Sequence, residues 1–123
     1  MRPEDALQRS VVSYFELLQA QGRLKFAAIP NAAKRSYKTA AYLKNLGMVA
    51  GAPDLMVWLA PKPIRPGIKA PPEVGKVLAI ELKAGKGKLS EAQIGWQAWL
   101  KSNGFHHYVA RSLQDVINIL SGA

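Results

Sequence analysis

A continuous apolar run, Val77-Leu78-Ala79-Ile80, constrains the fold of this chain more than any other feature. Such a run is typical of a strand that is buried on both faces, and it predicts a core strand over 77–83. A second strand is predicted for 54–59, directly after Pro53, at a position that tolerates a missing N–H. Residues 60–76 hold five of the eight prolines, which predicts a long Pro-rich loop between the two core strands.

Helical and strand-like segments alternate along the rest of the chain. Apolar spacing and end signals predict helices over 4–20, 38–46, 90–102 and 112–120, and two further strands over 24–29 and 106–110. The resulting order, α-β-α-β-β-α-β-α, predicts an α/β fold with a mixed central β-sheet flanked by helices. The length suits a single domain, 1–123.

The chain is strongly basic, with 17 Lys and Arg against 8 Asp and Glu and a formal net charge of +9. Residues 17–53 contain six of these cations and no acid. An excess of positive charge informs about binding partners rather than about the fold, and nucleic acid is the polyanion that such a chain most often meets. We therefore expect a nucleic-acid partner.

Cysteine is absent, which excludes disulfides, thiolate zinc sites and a cysteine nucleophile. The first residues are acidic where a secretory signal would be basic and then apolar. No apolar run approaches the roughly 18 residues that a membrane span needs. These features predict a cytoplasmic protein without a membrane partner.

Polar residues mark neighbouring ends of the two core strands. Asp54 begins the first strand, and Glu81 and Lys83 end the second on one face, because they are two residues apart. If the strands pair antiparallel, Asp54 lies beside Glu81 across the sheet. Two carboxylates so placed repel each other unless a cation joins them, and oxygen ligands suit Mg²⁺ or Mn²⁺. The alternative is a turn at Asp54 and a solvated ion pair between Glu81 and Lys83.

Three segments together resemble a known family. They are Gly51-Ala52-Pro53-Asp54-Leu55, Ile80-Glu81-Leu82-Lys83 and Gly87-Lys88-Leu89-Ser90-Glu91-Ala92-Gln93. They resemble the VRR-NUC family of PD-(D/E)XK nucleases, and in particular its small stand-alone members common in bacteriophages. The resemblance implies a restriction-endonuclease-like core and a Mg²⁺- or Mn²⁺-dependent endonuclease that hydrolyses DNA phosphodiester bonds. It also implies a homodimer in a bacterial or phage-infected cell, with branched or flapped DNA among the substrates.

The resemblance further implies roles for residues of the two core strands. By this comparison, Asp54 and Glu81 bind the metal ion, and the backbone carbonyl of Leu82 assists them. Lys83 corresponds to the catalytic lysine, which orients or deprotonates the attacking water or offsets charge in the transition state.

The family also carries an acidic residue on the first helix, and two neighbours compete for that place. At about 100° per residue, Glu4 falls beside the apolar stripe of the helix and Asp5 falls on the far side. Glu4 is therefore the candidate catalytic residue and a further candidate metal ligand. The alternative is that both acids only complement the helix dipole.

Gln93 has two readings. Ser90-x-x-Gln93 is a capping box, which alone explains a glutamine at this place. The family resemblance instead implies a site residue close to Lys83, and Gln93 is kept as a candidate catalytic residue on that ground.

Several cations are candidates for contacts with the DNA backbone. They are Lys34, Arg35, Lys38, Lys86 and Lys88. Lys86 and Lys88 lie in a glycine-rich turn directly after the second core strand, and a solvated turn is the alternative. The leading hypothesis is thus a metal-dependent DNA endonuclease, and the alternative is a non-cleaving nucleic-acid-binding module on the same fold.

Overall fold

The computed structural model describes residues 2–30, 37–61 and 74–123. The elements are α1 (Pro3–Ala20), β1 (Leu24–Ala28), α2 (Tyr37–Asn45), β2 (Leu55–Leu59), β3 (Lys76–Leu82), α3 (Glu91–Ser102), β4 (His106–Ala110) and α4 (Leu113–Gly122). Their order confirms the prediction, and each end lies within two residues of the predicted one. Of the predicted Pro-rich loop, residues 62–73 lie outside the described residues. No helix of the described part is long and apolar enough to cross a bilayer.

The four strands form one mixed sheet in the order β1-β2-β3-β4. β2 pairs antiparallel with β1 and β3, whereas β3 and β4 pair parallel. A parallel pair needs a crossover connection, and α3 lies in the connection between β3 and β4. The register that pairs Leu55 with Ile80 continues outward and sets Asp54 opposite Glu81. The antiparallel pairing on which the predicted site depends is therefore present.

One face of the sheet packs against α1 and α4. Phe15 of α1 is fully buried, and its ring lies 5.4 Å from that of Phe26 on β1 between centroids. Burial of one such side chain contributes about 1.5–3 kcal/mol. The core cluster on this face comprises Val11, Phe15, Leu18, Leu24, Leu55, Val57, Leu78, Ile80, Leu82, Ala110, Val116 and Leu120. α3 contacts β4 and lies on the other face, where it reaches Glu81.

The exposure of Val77 contradicts the prediction that the whole apolar run is buried. Leu78, Ala79 and Ile80 are buried, whereas Val77 is 45% exposed. Its partner on β2, Trp58, is 48% exposed. The physical reason is the position of α3, which packs on β4 and leaves this corner of the face uncovered by the described residues.

The segment before β2 approaches α3 closely at Gly51. Gly51 has a φ of +85°, and a Cβ atom there would lie 2.5 Å from the carbonyl carbon of Ala92. Glycine is the residue that tolerates both this backbone conformation and this contact. Gly51 stands three residues before Asp54, and Ala92 stands directly before Gln93. The contact therefore joins two segments that carry candidate site residues.

We predict that Gly51→Ala destabilises the protein more than Gly22→Ala. Gly22 has a similar φ of +75° but open space at its Cβ position, so both variants carry a backbone strain of about 1–2 kcal/mol. Gly51→Ala also adds a clash with Ala92, for which we expect a further loss of about 1–3 kcal/mol. Chemical denaturation of the two variants measures the difference, and equal losses would contradict the close contact.

Candidate active site

Asp54 and Glu81 are buried carboxylates at the junction of β2 and β3, with 6% and 1% of their surface exposed. The backbone N–H of Leu82 donates to Oδ2 of Asp54 at 2.7 Å. The backbone carbonyl of Asp54 accepts from the N–H of Ile29 at 2.9 Å. Burial of a charged group is costly, and charge-assisted hydrogen bonds from backbone N–H groups offset part of that cost. Asp54 is thus held between the strands on either side of β2.

Gln93 caps α3 and also contacts Glu81. Its backbone N–H donates to Oγ of Ser90 at 3.2 Å, and its Oε1 accepts from the Ser90 backbone N–H at 2.9 Å, which completes the capping box. Its Nε2 donates to Oε1 of Glu81 at 2.7 Å. Because the amide oxygen is occupied by Ser90, the amide N–H₂ points to Glu81. The capping box therefore orients the amide that holds the Glu81 carboxylate.

Lys83 lies just beyond β3 and pairs with the first turn of α1. Its Nζ is 3.8 Å from Oε1 of Glu4, with 13% of the Lys83 side chain and 32% of the Glu4 side chain exposed. Its backbone N–H donates to the carbonyl of Ala110 at 3.0 Å, which continues the pairing of β3 with β4. Asp5 is exposed. Glu4 is thus the acid of the first turn that contacts Lys83, and its role as a site residue stays a prediction.

The atoms at the β2–β3 junction that could bind a metal ion are oxygen atoms. Asp54 and Glu81 supply carboxylates, and the Leu82 backbone carbonyl follows directly in the chain. Within the part of the chain that the structure describes, no three His, Cys, Asp or Glu side chains form a group able to hold a metal. Glu4 therefore stands apart, at Lys83. Two carboxylates and a carbonyl fit a hard cation such as Mg²⁺ or Mn²⁺, which usually keeps several waters and takes one or two protein carboxylates.

A glycine-rich turn over 85–88 packs beside the Lys83–Glu4 pair. A Cβ atom on Gly87 would lie 3.8 Å from Cδ of Lys83 and 4.0 Å from Oε1 of Glu4. Lys86 and Lys88 in this turn are exposed. Of the other candidate phosphate contacts, Lys34 and Arg35 lie outside the described residues, and so does the side chain of Lys38, whose backbone is in α2.

Arg111 is a site neighbour for which the sequence predicted no role, although its segment, Val109-Ala110-Arg111-Ser112, is part of the family resemblance. Its Nη1 donates to the backbone carbonyls of Gly85 at 3.0 Å and Gly87 at 2.7 Å. The only local signal is a cation placed directly after a strand, which is a common surface feature. The contact joins residues 26 and 24 positions apart in the chain, so no short motif reports it.

The two histidines of β4 have opposite environments because successive strand residues point to opposite faces. His106 is exposed and His107 is buried. Burial lowers the pKa of His107 below its usual value, and the positive charge of Lys101 lowers it further. His107 is therefore favoured in its neutral form, and the two side chains do not converge on one ion.

A mixed sheet that carries Asp54 at the start of one strand and Glu81 and Lys83 at the end of its neighbour defines a nuclease-like α/β domain. The chain belongs to the VRR-NUC family, because the VRR-NUC domain model matches residues 2–114. A solved structure described as a VRR_NUC domain protein has the same fold, with a TM-score of 0.58 and 21% identity over 99% of this chain and 88% of that one. No curated protein matches the chain.

We predict that Gln93→Glu lowers the stability of the metal-free protein. Glutamate preserves the capping box, but it replaces the N–H₂ group 2.7 Å from Glu81 Oε1 with a carboxylate oxygen. Loss of a buried hydrogen bond costs about 1–3 kcal/mol, and the like charge adds to that cost. Chemical denaturation at neutral pH in the presence of EDTA measures the loss. Gln97→Glu, the same charge change one turn further along α3, is the control, and equal stability of the two variants would refute the contact.

Proposed function

We propose that this VRR-NUC domain is a Mg²⁺- or Mn²⁺-dependent endonuclease that hydrolyses DNA phosphodiester bonds. The observation that carries the proposal is the pair of buried carboxylates, Asp54 and Glu81, set opposite each other across β2 and β3. Two buried carboxylates in such proximity repel each other unless a cation or a proton compensates their charge. A basic protein that brings together a carboxylate pair and a lysine has the groups that phosphodiester hydrolysis requires.

The metal ion would be held by Asp54, Glu81 and the backbone carbonyl of Leu82. When bound, it supplies Lewis acidity for the phosphoryl group and for the attacking water. Gln93 fixes Glu81 in place through the amide hydrogen bond, so that one ligand is oriented before the ion arrives. Orienting hydrogen bonds of this kind tune metal affinity about 10–100-fold in other sites.

Lys83 is the group that acts on the reacting atoms. Its side chain is 13% exposed and its ammonium stands 3.8 Å from Glu4, which limits the positions that the long side chain can take. A cation held in this way stabilises charge that develops on phosphoryl oxygens, and it orients the attacking water. Glu4 acts through Lys83 in this proposal and is a positioning residue.

The basic surface supplies affinity for the substrate. Lys86 and Lys88 are exposed on the turn beside Lys83 and Glu4, which places them next to the proposed position of the scissile phosphate. Contacts from lysine to phosphate release counterions, so binding is expected to weaken as the salt concentration rises. The net charge of +9 also attracts DNA, over a longer range than the contacts of single lysines.

Asp54→Asn is the variant that tests the proposal. Asparagine keeps the size of the side chain and an acceptor for the Leu82 N–H, but it removes the negative charge. Replacing a hydrogen-bond partner of a metal ligand typically lowers activity roughly 10–100-fold. Because Asp54 is itself a proposed ligand, we expect Mg²⁺- or Mn²⁺-dependent cleavage of labelled DNA to fall by more than that factor. DNA binding in Ca²⁺, followed by fluorescence anisotropy, should stay within about twofold, because the phosphate contacts are elsewhere.

Asp5→Asn is the matched control, since it makes the same charge change at an exposed position of α1. Cleavage that survives in Asp54→Asn would overturn the assignment of the site. A wild-type protein that binds DNA, shows no Mn²⁺ binding by calorimetry and cleaves nothing would instead be the non-cleaving binding module.

The resemblance to small stand-alone VRR-NUC domains leads us to propose a homodimer and a branched or flapped DNA substrate. Two sites related by a twofold axis suit a substrate with two equivalent strands, as in a four-way junction. We expect sedimentation equilibrium to give twice the mass of one chain. In a panel of single-stranded, duplex, flapped and four-way DNA, the last two should be cleaved fastest. A monomer with equal rates on all four substrates would contradict both points.

A further inference from the structure

Arg111 is the first residue after β4, and its guanidinium contacts the turn that follows β3. Nη1 donates to the carbonyls of Gly85 and Gly87, at 3.0 and 2.7 Å. The backbone N–H of Arg111 donates to Oδ2 of Asp115 at 2.8 Å, and the Asp115 N–H in turn donates to Oγ of Ser112 at 3.1 Å. The backbone of Arg111 is thus fixed at the start of α4, while its guanidinium is fixed on the turn.

The turn over 85–88 has few internal contacts that would fix its conformation. Gly85 and Gly87 lack side chains, and all four residues are exposed. Within the turn, the N–H of Gly87 donates to the carbonyl of Ala84 at a rather long 3.2 Å. Glycine-rich segments lose much conformational entropy when they are ordered, so an external contact is needed to define their geometry.

The position of this turn matters for the substrate. Gly87 packs beside Lys83 and Glu4, and the turn presents Lys86 and Lys88 to solvent. A displacement of one or two ångströms would move both ammonium groups relative to Lys83. Nη1 donates to two carbonyls of the turn, so this nitrogen of the guanidinium binds the protein itself rather than a phosphate.

We propose that Arg111 is a positioning residue, which clamps the 85–88 turn so that Lys86 and Lys88 bind a phosphate of the DNA next to the site of cleavage. This inference rests on the proposed function, since it concerns how the same site binds its substrate. In this proposal, Arg111 holds the 85–88 turn in place and does not itself contact DNA. Removal of the Arg111 guanidinium should therefore weaken DNA binding by displacing Lys86 and Lys88.

A double-mutant cycle tests this dependence. The variants are Arg111→Met, the pair Lys86→Ala with Lys88→Ala, and all three together, and the readout is anisotropy with a labelled duplex in Ca²⁺. We expect Arg111→Met to weaken binding about 3–10-fold when both lysines are present and less than about twofold when they are absent, because residues that act as one unit are not additive. The same factor in both backgrounds would mean a direct phosphate contact and would overturn the proposal, as would unchanged binding in Arg111→Met.

Limited proteolysis provides a readout that needs no DNA. Trypsin cleaves after lysine, so the bonds after Lys86 and Lys88 report on the mobility of the turn in the full-length protein. We expect faster cleavage at these bonds in Arg111→Met than in the wild type. Arg23→Met is the control, because it removes one exposed arginine far from the turn in sequence. Equal cleavage in both variants would overturn the clamp.

Arg111→Lys separates charge from geometry and remains informative if Arg111→Met does not fold. Lysine keeps the charge, but its ammonium does not reproduce the planar guanidinium fork. We expect weakened DNA binding and faster tryptic cleavage after Lys86 and Lys88, and wild-type values for both would overturn the proposal. Failure of the proposed function has a different signature: the wild type would bind DNA without cleaving it, while the proteolysis result would stand.

Discussion

The antiparallel pairing of β2 with β3 is the constraint on which the rest of the structure depends. One register brings the start of β2 to the end of β3, and a shift by a single residue would turn Asp54 to the opposite face. The apolar residues of β2 fix this register, because the same shift would turn Leu55 and Val57 away from the core. Packing of the core therefore determines which face of the sheet carries the two carboxylates, and the hydrogen bonds from Leu82 and Gln93 orient them there.

A second set of contacts connects the site to the starts of the helices. The capping box of α3 orients Gln93, the first turn of α1 brings Glu4 to Lys83, and the segment that begins α4 holds Arg111. In each case, a residue in or just before the first turn of a helix contacts β3 or the residues that directly follow it. At α3 and α4, the hydrogen bonds that cap the helix also hold Gln93 and the backbone of Arg111.

Local patterns predicted the element order, because strand and helix periods are properties of neighbouring residues. The choice of Glu4 over Asp5 as a site residue stays a prediction; Glu4 is the one that pairs with Lys83. For Gln93, spacing predicted the capping box that the structure shows, whereas the contact of its amide with Glu81 joins residues 12 positions apart. Its role as a site residue stays a prediction. Val77 and Arg111 depend on elements distant in the chain. The exposure of Val77 follows from where α3 packs, and the contacts of Arg111 cross more than twenty residues.

The groups of the site are spread along the chain, which has a consequence during protein synthesis. Glu4 leaves the ribosome first, the two carboxylates follow, and Gln93 and Arg111 emerge last. A growing chain that ends at β3 holds both carboxylates without the amide that orients Glu81 and without the clamp on the basic turn. For the proposed nuclease, the complete site is therefore assembled only when nearly the whole domain has been made, and translation itself delays the onset of DNA cleavage.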